Sequence, residues 1–208
     1  LTADPQIHIV DYGAGNIRSV ANALWRAGAQ PIVVREPGAL KDADRIVLPG
    51  VGASGAAMER LHATGLGEAL NARRQHGCPI MGICVGMQVM AETLHEFGEH
   101  VGLNWVKGRV ERLAADAADV RVPNIGWRKI AQTRSGGFWD DALDGRFFYF
   151  CHSYRLADES GSAVAAIDYG GSVACAVQFD TVFACQFHPE KSQLAGQRLL
   201  EKFVVWRP

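Results

Sequence analysis

The chain has 208 residues, which suits one domain of ordinary size. Its 48% hydrophobic and 21% charged residues are those of a globular protein with enough apolar side chains for a sizeable interior. Lys plus Arg number 21 against 22 Asp plus Glu, with no basic run or basic-aromatic stripe. Nothing therefore supports electrostatic capture of nucleic acid or of an anionic membrane, and the expected ligand is a small molecule or another protein.

In chain order, residues 1–5 carry no structural weight and are expected to be flexible. QIHIV (6–10) reads as a strand and DYGAGN (11–16) as a turn. IRSVANALWRAG reads as a helix with Asn16 as its N-cap, and PIVVR as a second strand. RIVLP (45–49) is a third strand, followed by the turn GVGASG and one helix ending near Gln75. CPIMGI (78–83) is a fourth strand, and VGMQVMAETLH continues as a helix. Short apolar runs alternating with helices predict an α/β fold: a doubly wound, mostly parallel sheet with helices on both faces, whose ligands sit outside the carboxyl ends of the strands. Beyond about residue 100 the pattern changes to short strands: WVKGRVERL, VRVPNIGWRKI, RFFYFCHSYRL, SAVAAIDY, SVACAVQF and TVFACQF. These predict an antiparallel section packed on the parallel sheet. SQLAGQRLLEKFVVW closes the chain as a helix with Ser192 as its N-cap. The chain contains no internal repeat or low-complexity linker, so residues 1–208 read as a single domain. The longest apolar stretches are interrupted well before the ~18 residues of a membrane span, and LTADPQ lacks the regions of a signal peptide, which predicts a cytoplasmic protein.

There are five cysteines, Cys78, Cys84, Cys151, Cys175 and Cys185, an odd number without the CxxC spacing of zinc or redox sites, and they are expected to be reduced. One of them stands apart. Gly82-Ile83-Cys84-Val85-Gly86 puts Cys84 between two glycines where an apolar strand meets a helix, the arrangement of a nucleophile elbow. The N-terminus of the following helix would favour a thiolate. A free cysteine is also a common buried packing residue, and the pattern leaves both readings open. Phe187-His188-Pro189-Glu190 supplies the second element: two apart on an extended segment, His188 and Glu190 would share a side, with the carboxylate selecting the imidazole tautomer. A surface His beside a solvated Glu is the bland alternative. No metal site is expected, because Cys84, His188 and Glu190 have no further ligands at suitable spacing. The third element is Leu48-Pro49-Gly50-Val51-Gly52, where glycines let backbone N–H groups turn toward an oxyanion, with the Val85 N–H as a second donor.

Two signals are discounted. Gly13-Ala14-Gly15-Asn16-Ile17-Arg18 approaches a dinucleotide fingerprint, but Arg18 occupies the third glycine position and NAD binding is rejected. His62, His76, His95 and His100 read as surface or helix-end residues.

Taken in order, LPGVG, GICVGMQ and QFHPEKS resemble the class I glutamine amidotransferases, which use a Cys-His-Glu triad. DYGAGN, PNIGW (123–127) and YFCHSYR (149–155) look like that family's glutaminase subunits of imidazole glycerol phosphate synthase, and the match spans nearly the whole chain. The resemblance implies hydrolysis of glutamine to glutamate and ammonia, without a cofactor, in a heterodimer with a synthase/cyclase subunit that forms imidazole glycerol phosphate and an aminoimidazole carboxamide ribotide in histidine synthesis. It further implies that Cys84 forms a glutamyl thioester, that His188 moves the protons and that Glu190 orients it. Val51 and Gly52 then belong to the oxyanion strand, Gln88, Glu96, Ser153 and Tyr154 hold the glutamine, and Asn16, Trp127, Tyr149 and Lys191 lie exposed on the face that meets the partner. The free subunit is expected to be nearly inactive until docking reorganises Pro49 to Gly52. Val85 in place of a common Leu, Arg128 after GW and Arg155 after HSY depart from the family's wording without removing a catalytic atom. A paralogous glutaminase serving another synthase, such as one acting on an amino sugar, shares every catalytic motif. A non-catalytic scaffold that kept the fold and a cysteine hydrolase acting on peptides or esters are further alternatives; Gln88, one turn beyond Cys84, speaks against the hydrolase.

Overall fold

The computed structural model describes residues 4–114, 120–135 and 137–208, so the expectation for residues 1–5 falls outside the described residues at 1–3. The first half holds β1 (Gln6–Val10), α1 (Ile17–Arg26), β2 (Gln30–Val34), β3 (Ile46–Gly50), α2 (Ser54–Ala63), α3 (Leu66–Gln75), β4 (Ile80–Cys84) and the single-turn α4 (Val85–Gln88). The strands β5 (Ala91–Leu94), β6 (His100–Val101), β7 (Val106–Arg112), β8 (Asn124–Lys129), β9 (Ala131–Gln132), β10 (Phe147–His152) and β11 (Tyr154–Asp158) follow. The chain ends with β12 (Ala163–Asp168), β13 (Ser172–Phe179), β14 (Val182–Cys185) and α5 (Gln193–Val205).

Eight strands form one sheet in the order β2-β1-β3-β4-β14-β13-β12-β9. The run from β2 to β14 is parallel and the rest antiparallel, as the change of pattern along the sequence predicts. The crossover from β1 runs one way along the sheet to β2, and that from β3 runs the other way to β4. Right-handed connections therefore place α1 and the α2–α3 pair on opposite faces, and α5 joins α1 on its side. β3 and β4 are buried along their whole length, as expected for strands covered on both faces. The strands β11-β7-β5-β6 form a second sheet, and β10 pairs with β8 in a hairpin-like ribbon.

Four local expectations are corrected. The helix foreseen from the GVGASG turn to Gln75 is two helices, broken at Gly65, whose φ of 69° is a left-handed conformation that glycine adopts at little cost. The helix foreseen for VGMQVMAETLH stops after one turn. Leu103 N–H bonds to Val89 C=O and Trp105 N–H to Met90 C=O, and β5 then pairs with β7, so sheet bonding overrides the helical apolar pattern. Neither Asn16 nor Ser192 caps its helix with its side chain, although each stands at the N-cap position. The Ser192 hydroxyl instead donates to His188 C=O at 2.6 Å and accepts from Tyr149 N–H at 3.0 Å. RFFYFCHSYRL, finally, is two strands separated at Ser153 that belong to different sheets.

A cluster of aromatic side chains fills the space between the sheet and α5. Phe138 lies 4.2 Å from Phe183, Phe148 lies 4.3 Å from Phe187, and Trp139 and Phe203 extend the group. It fixes Phe187, the residue before His188. Among the described residues, no helix is long and apolar enough to cross a membrane.

Candidate active site

Three neighbouring parallel strands end at the same level. Gly50 at the end of β3 pairs with Cys84 at the end of β4, and Cys185 at the end of β14 pairs with Ile83. The residues leaving these strands therefore converge: Val51 and Gly52 from the first, Cys84 and Val85 from the second, His188 from the third. With Gln88, Glu96, Ser153, Tyr154, Lys191 and others, they line a cavity of about 410 Å³, within the usual range for a small-molecule site.

Cys84 has φ 55° and ψ −110°, a conformation rarely adopted by a side-chain-bearing residue, which marks the sharp strand-to-helix turn of an elbow. The flanking glycines are required by close approach. A Cβ on Gly86 would strike the Leu48 carbonyl, and one on Gly50 would strike the Tyr12 hydroxyl and sit 2.8 Å from Val85 Cβ. A Cβ on Gly82 would sit 2.7 Å from Met90 Cε and 2.8 Å from the Gly86 carbonyl. Because α4 is a single turn, its contribution to the site is that of its first backbone N–H groups rather than a long macrodipole.

His188 Nδ1 lies 2.9 Å from Glu190 Oε1, and both side chains are almost completely buried. They meet by a different route from the one read in the sequence: His188 is extended, whereas Pro189–Lys191 forms a 3-10 turn that brings the carboxylate back to the ring. Burial alone would depress the imidazole. Hydrogen bonds to Cys84 and then to Glu190, aided by the charge of both partners, outweigh it and raise His188 to about 10. At neutral pH the ring therefore carries two protons, with Nδ1–H given to Glu190 and the Nε2 proton facing the thiol side of the site. Burial, the largest influence on each, pushes the Cys78, Cys175 and Cys185 thiols up.

Glu96 sits on the β5–β6 turn, where its Oε2 accepts from Ser54 N–H at 2.9 Å and from the Ser54 hydroxyl at 3.3 Å, capping α2 from a distance. Gln88 gives its side-chain N–H groups to Tyr154 C=O and to Gln186 Oε1, both at 3.0 Å. Its donors are thus committed and its carbonyl is the group left for a ligand.

A family model described as glutamine amidotransferase class-I matches residues 8–206. A protein named imidazole glycerol phosphate synthase subunit HisH from Caulobacter vibrioides is 40% identical, covering 97% of this chain and 99% of its own. A protein of the same name from Zymomonas mobilis is 41% identical, covering 99% and 98%. The chain belongs to the class-I glutamine amidotransferases, in the HisH family. A crystal structure of a glutamine amidotransferase shares the fold of this HisH-family chain at a TM-score of 0.75 and 20% identity, over 96% of this chain and 99% of that one.

In this amidotransferase the residues singled out for catalysis, oxyanion binding and glutamine binding all line or adjoin one cavity, Glu190 standing just behind it. The four residues expected on the partner face divide. Trp127 and Lys191 are exposed, whereas Asn16 and Tyr149 are half-buried. Tyr149 is covered in part by its neighbours, with the Trp127 ring edge-on at 6.1 Å and Lys191 Nζ 5.6 Å above it. His62, His76 and His95 are exposed, but His100 is half-buried with its ring packed against Gly55.

Sequence reasoning passed over four residues at the site. Tyr12 is buried, its hydroxyl beside Gly50 has no hydrogen-bond partner among the described residues, and burial drives its acidity well down, that is, its pKa up. His152 is buried between Asn124 and Tyr154 C=O. Burial first, and then the charge of His188, lower it to about 4 despite the Tyr154 bond, so it is neutral. Gln186 reaches Cys84 Sγ at 3.6 Å. Phe97, with φ 57° and 86% exposure, stands at the cavity rim. Alternation along β10, with Phe148, Phe150 and His152 all facing inward, was the available signal for His152. No comparable pattern marks Gln186 in a segment buried on both sides.

Proposed function

We propose that residues 1–208 act as one glutaminase domain that hydrolyses L-glutamine to glutamate and ammonia, and that the ammonia passes to a synthase/cyclase partner in a heterodimer of histidine biosynthesis. The observation that carries this reading is the buried His188–Glu190 pair at 2.9 Å beside a cysteine held in an elbow at the end of β4. The relatives that share about 40% of its residues over nearly the whole chain are named as subunits of imidazole glycerol phosphate synthase, which supports that customer, its products being imidazole glycerol phosphate and the aminoimidazole carboxamide ribotide. Five free cysteines fit a reducing cytoplasm.

In this mechanism Cys84 Sγ, as the thiolate paired with the doubly protonated His188, adds to the side-chain amide carbon of glutamine. The oxyanion is met by backbone N–H groups of Val51, Gly52 and Val85, each worth about 3 to 4 kcal/mol in acyl transfer. His188 delivers its proton to the amide nitrogen as the C–N bond breaks, and ammonia leaves behind a glutamyl thioester. The now neutral imidazole takes a proton from water, hydroxide attacks the thioester, and glutamate departs as the Cys84 thiolate and the doubly protonated His188 are restored. Glu190 holds the ring with Nδ1–H turned toward itself throughout. Glu96, with one oxygen engaged by Ser54, offers the other to the α-ammonium, joined by the Gln88 carbonyl. Ser153 and the Tyr154 backbone face the α-carboxylate end.

Trp127, Lys191, Tyr149 and Asn16 form the partner face on this reading, and docking there reorganises Pro49 to Gly52. Cys84→Ala should abolish glutamate release while leaving partner binding intact, and a glutamine-analogue electrophile should label Cys84. Glutamate release by the free chain should be far slower than in the complex. Adduct formation elsewhere, or activity in Cys84→Ala, would overturn the assignment, and equal rates with and without partner would overturn the coupling.

A further inference from the structure

We propose that Gln186 is a further catalytic residue, whose side-chain N–H donates to Cys84 Sγ in an orientation imposed through Gln88 by the Tyr154 carbonyl. The proposal rests on the reading of Cys84 as the glutaminase nucleophile.

A side-chain amide can be turned either way, so its direction must come from its neighbours. Here one backbone carbonyl settles every member of the chain. Tyr154 C=O can only accept, and two side chains meet it: Gln88 Nε2 at 3.0 Å and His152 Nδ1 at 2.8 Å. Gln88 must therefore present its NH2 there, and the same NH2 gives its second proton to Gln186 Oε1 at 3.0 Å. Gln186 consequently has its oxygen on the Gln88 side and its NH2 on the other, 3.6 Å from Cys84 Sγ, a normal length for a hydrogen bond to sulfur.

The other direction is equally determined. His152 carries its proton on Nδ1, so Nε2 accepts, and Asn124 Nδ2 donates to it at 3.0 Å. Asn124 Oδ1 then faces outward and accepts from Arg128 Nε at 2.9 Å, an atom that can only donate. Asn124, His152, Gln88 and Gln186 are all buried. Arg128, whose guanidinium stacks 4.8 Å over the Tyr169 ring, lies next to Trp127 on β8. The two arms meet at the Tyr154 carbonyl, which accepts from both and orients Gln88, and through it Gln186, toward the sulfur.

An N–H aimed at the sulfur stabilises the negative charge that sulfur carries when it attacks and again when the thioester breaks. It also fixes the side-chain rotamer of Cys84. Gln186 touches the reacting sulfur, whereas Gln88 is a positioning residue.

The test measures glutamate release by the subunit in complex with its synthase partner. Wild type and Cys84→Ala come first, because an inactive wild type or an active Cys84→Ala would refute the glutaminase reading itself, whatever Gln186 does. Gln186→Glu keeps an acceptor for Gln88 but loses the donor to sulfur, and Gln186→Met fills similar space with no donor at all. Both should lower kcat about 10- to 100-fold, with KM for glutamine little changed. If Gln186 served merely to accept from Gln88, Gln186→Glu would keep wild-type kcat, and that result overturns the proposal. Should Gln186→Glu fail to fold, Gln186→Met decides alone, since wild-type kcat there equally refutes the donor.

Discussion

Replacing Glu190 by Gln removes a charge without changing size, and the structure indicates how much should follow. The carboxylate lies 2.9 Å from His188 Nδ1 in a buried setting, where an opposite charge so close raises an imidazole by about 1 to 3 pH units. Cys84 contributes the larger share of the upward pull and Glu190 the smaller, so His188 in Glu190→Gln should fall from about 10 by about 1 to 2 pH units. At 1.36 kcal/mol per unit, this is about 1.5 to 3 kcal/mol of folding stability. Because the folded value lies above the unfolded 6.5, that stability is fully present below pH 6.5 and is lost as pH rises through about 10. The stability gap between wild type and Glu190→Gln should therefore be widest near pH 6 to 7 and close by pH 10. Urea titrations across this range measure the gap, and imidazole NMR follows the ring directly. Activity should fall further than stability. A Gln amide can turn its NH2 toward Nδ1 and select the wrong tautomer, a fault that costs about 10⁴-fold in a related triad. A His188 that titrates identically in both proteins, or a stability gap that widens toward pH 10, would refute the electrostatic account of this pair.

Three further outcomes follow from particular contacts. Tyr12→Phe deletes a buried hydroxyl without a partner among the described residues and should raise stability by about 1 kcal/mol, or about 2 to 4 °C in Tm, read by thermal melting. Gly86→Ala puts a Cβ onto the Leu48 carbonyl, a backbone atom that cannot move aside, and should cost about 3 kcal/mol or more or leave the chain insoluble. Ser192→Ala removes the acceptor of the Tyr149 N–H and the donor to His188 C=O, which should cost about 1 to 3 kcal/mol in a urea titration and lower kcat more than it changes KM.

The parallel half of the fold was legible because its strands are short apolar runs bounded by turn residues, and DYGAGN, LPGVG and GICVGMQ mark where three of them end. The triad was legible for the same reason: Cys84 and His188 lie just past strand ends, and parallel pairing brings those ends together. What sequence could not convey depended on distant partners. VMAETL carries a helical apolar pattern, yet β7 offers it a ladder, and the change from helix to strand is what carries Glu96 to the rim of the cavity. Asn16 and Ser192 occupy N-cap positions, but the Ser192 hydroxyl is engaged by His188 C=O and Tyr149 N–H, partners from outside its helix. The hydrogen-bond chain ending at Gln186 joins residues from β8, β10, β11, α4 and the segment after β14, a grouping that no local spacing encodes.

The same wiring bears on why glutamine hydrolysis should depend on a partner. His188 N–H bonds to Tyr149 C=O at 2.9 Å, and Ser192 bridges Tyr149 N–H to His188 C=O, so the triad histidine is clamped on both sides to one residue of β10. Trp127 and Lys191 pack on that residue's ring. A protein surface settling on Trp127 and Lys191 therefore acts on the backbone that positions His188, while Arg128, next to Trp127, is joined through Asn124 and His152 to the Tyr154 carbonyl that orients Gln88 and Gln186. The proposed oxyanion segment, Val51 and Gly52, is held from a third direction, since the DYGAGN turn places Gly15 against Pro49 just before it. Nucleophile, base and oxyanion strand thus each have a separate structural link to the proposed docking face. Loss of one link should leave the others intact, so weakening a single contact on that face should reduce the response to the partner by a part rather than abolish it.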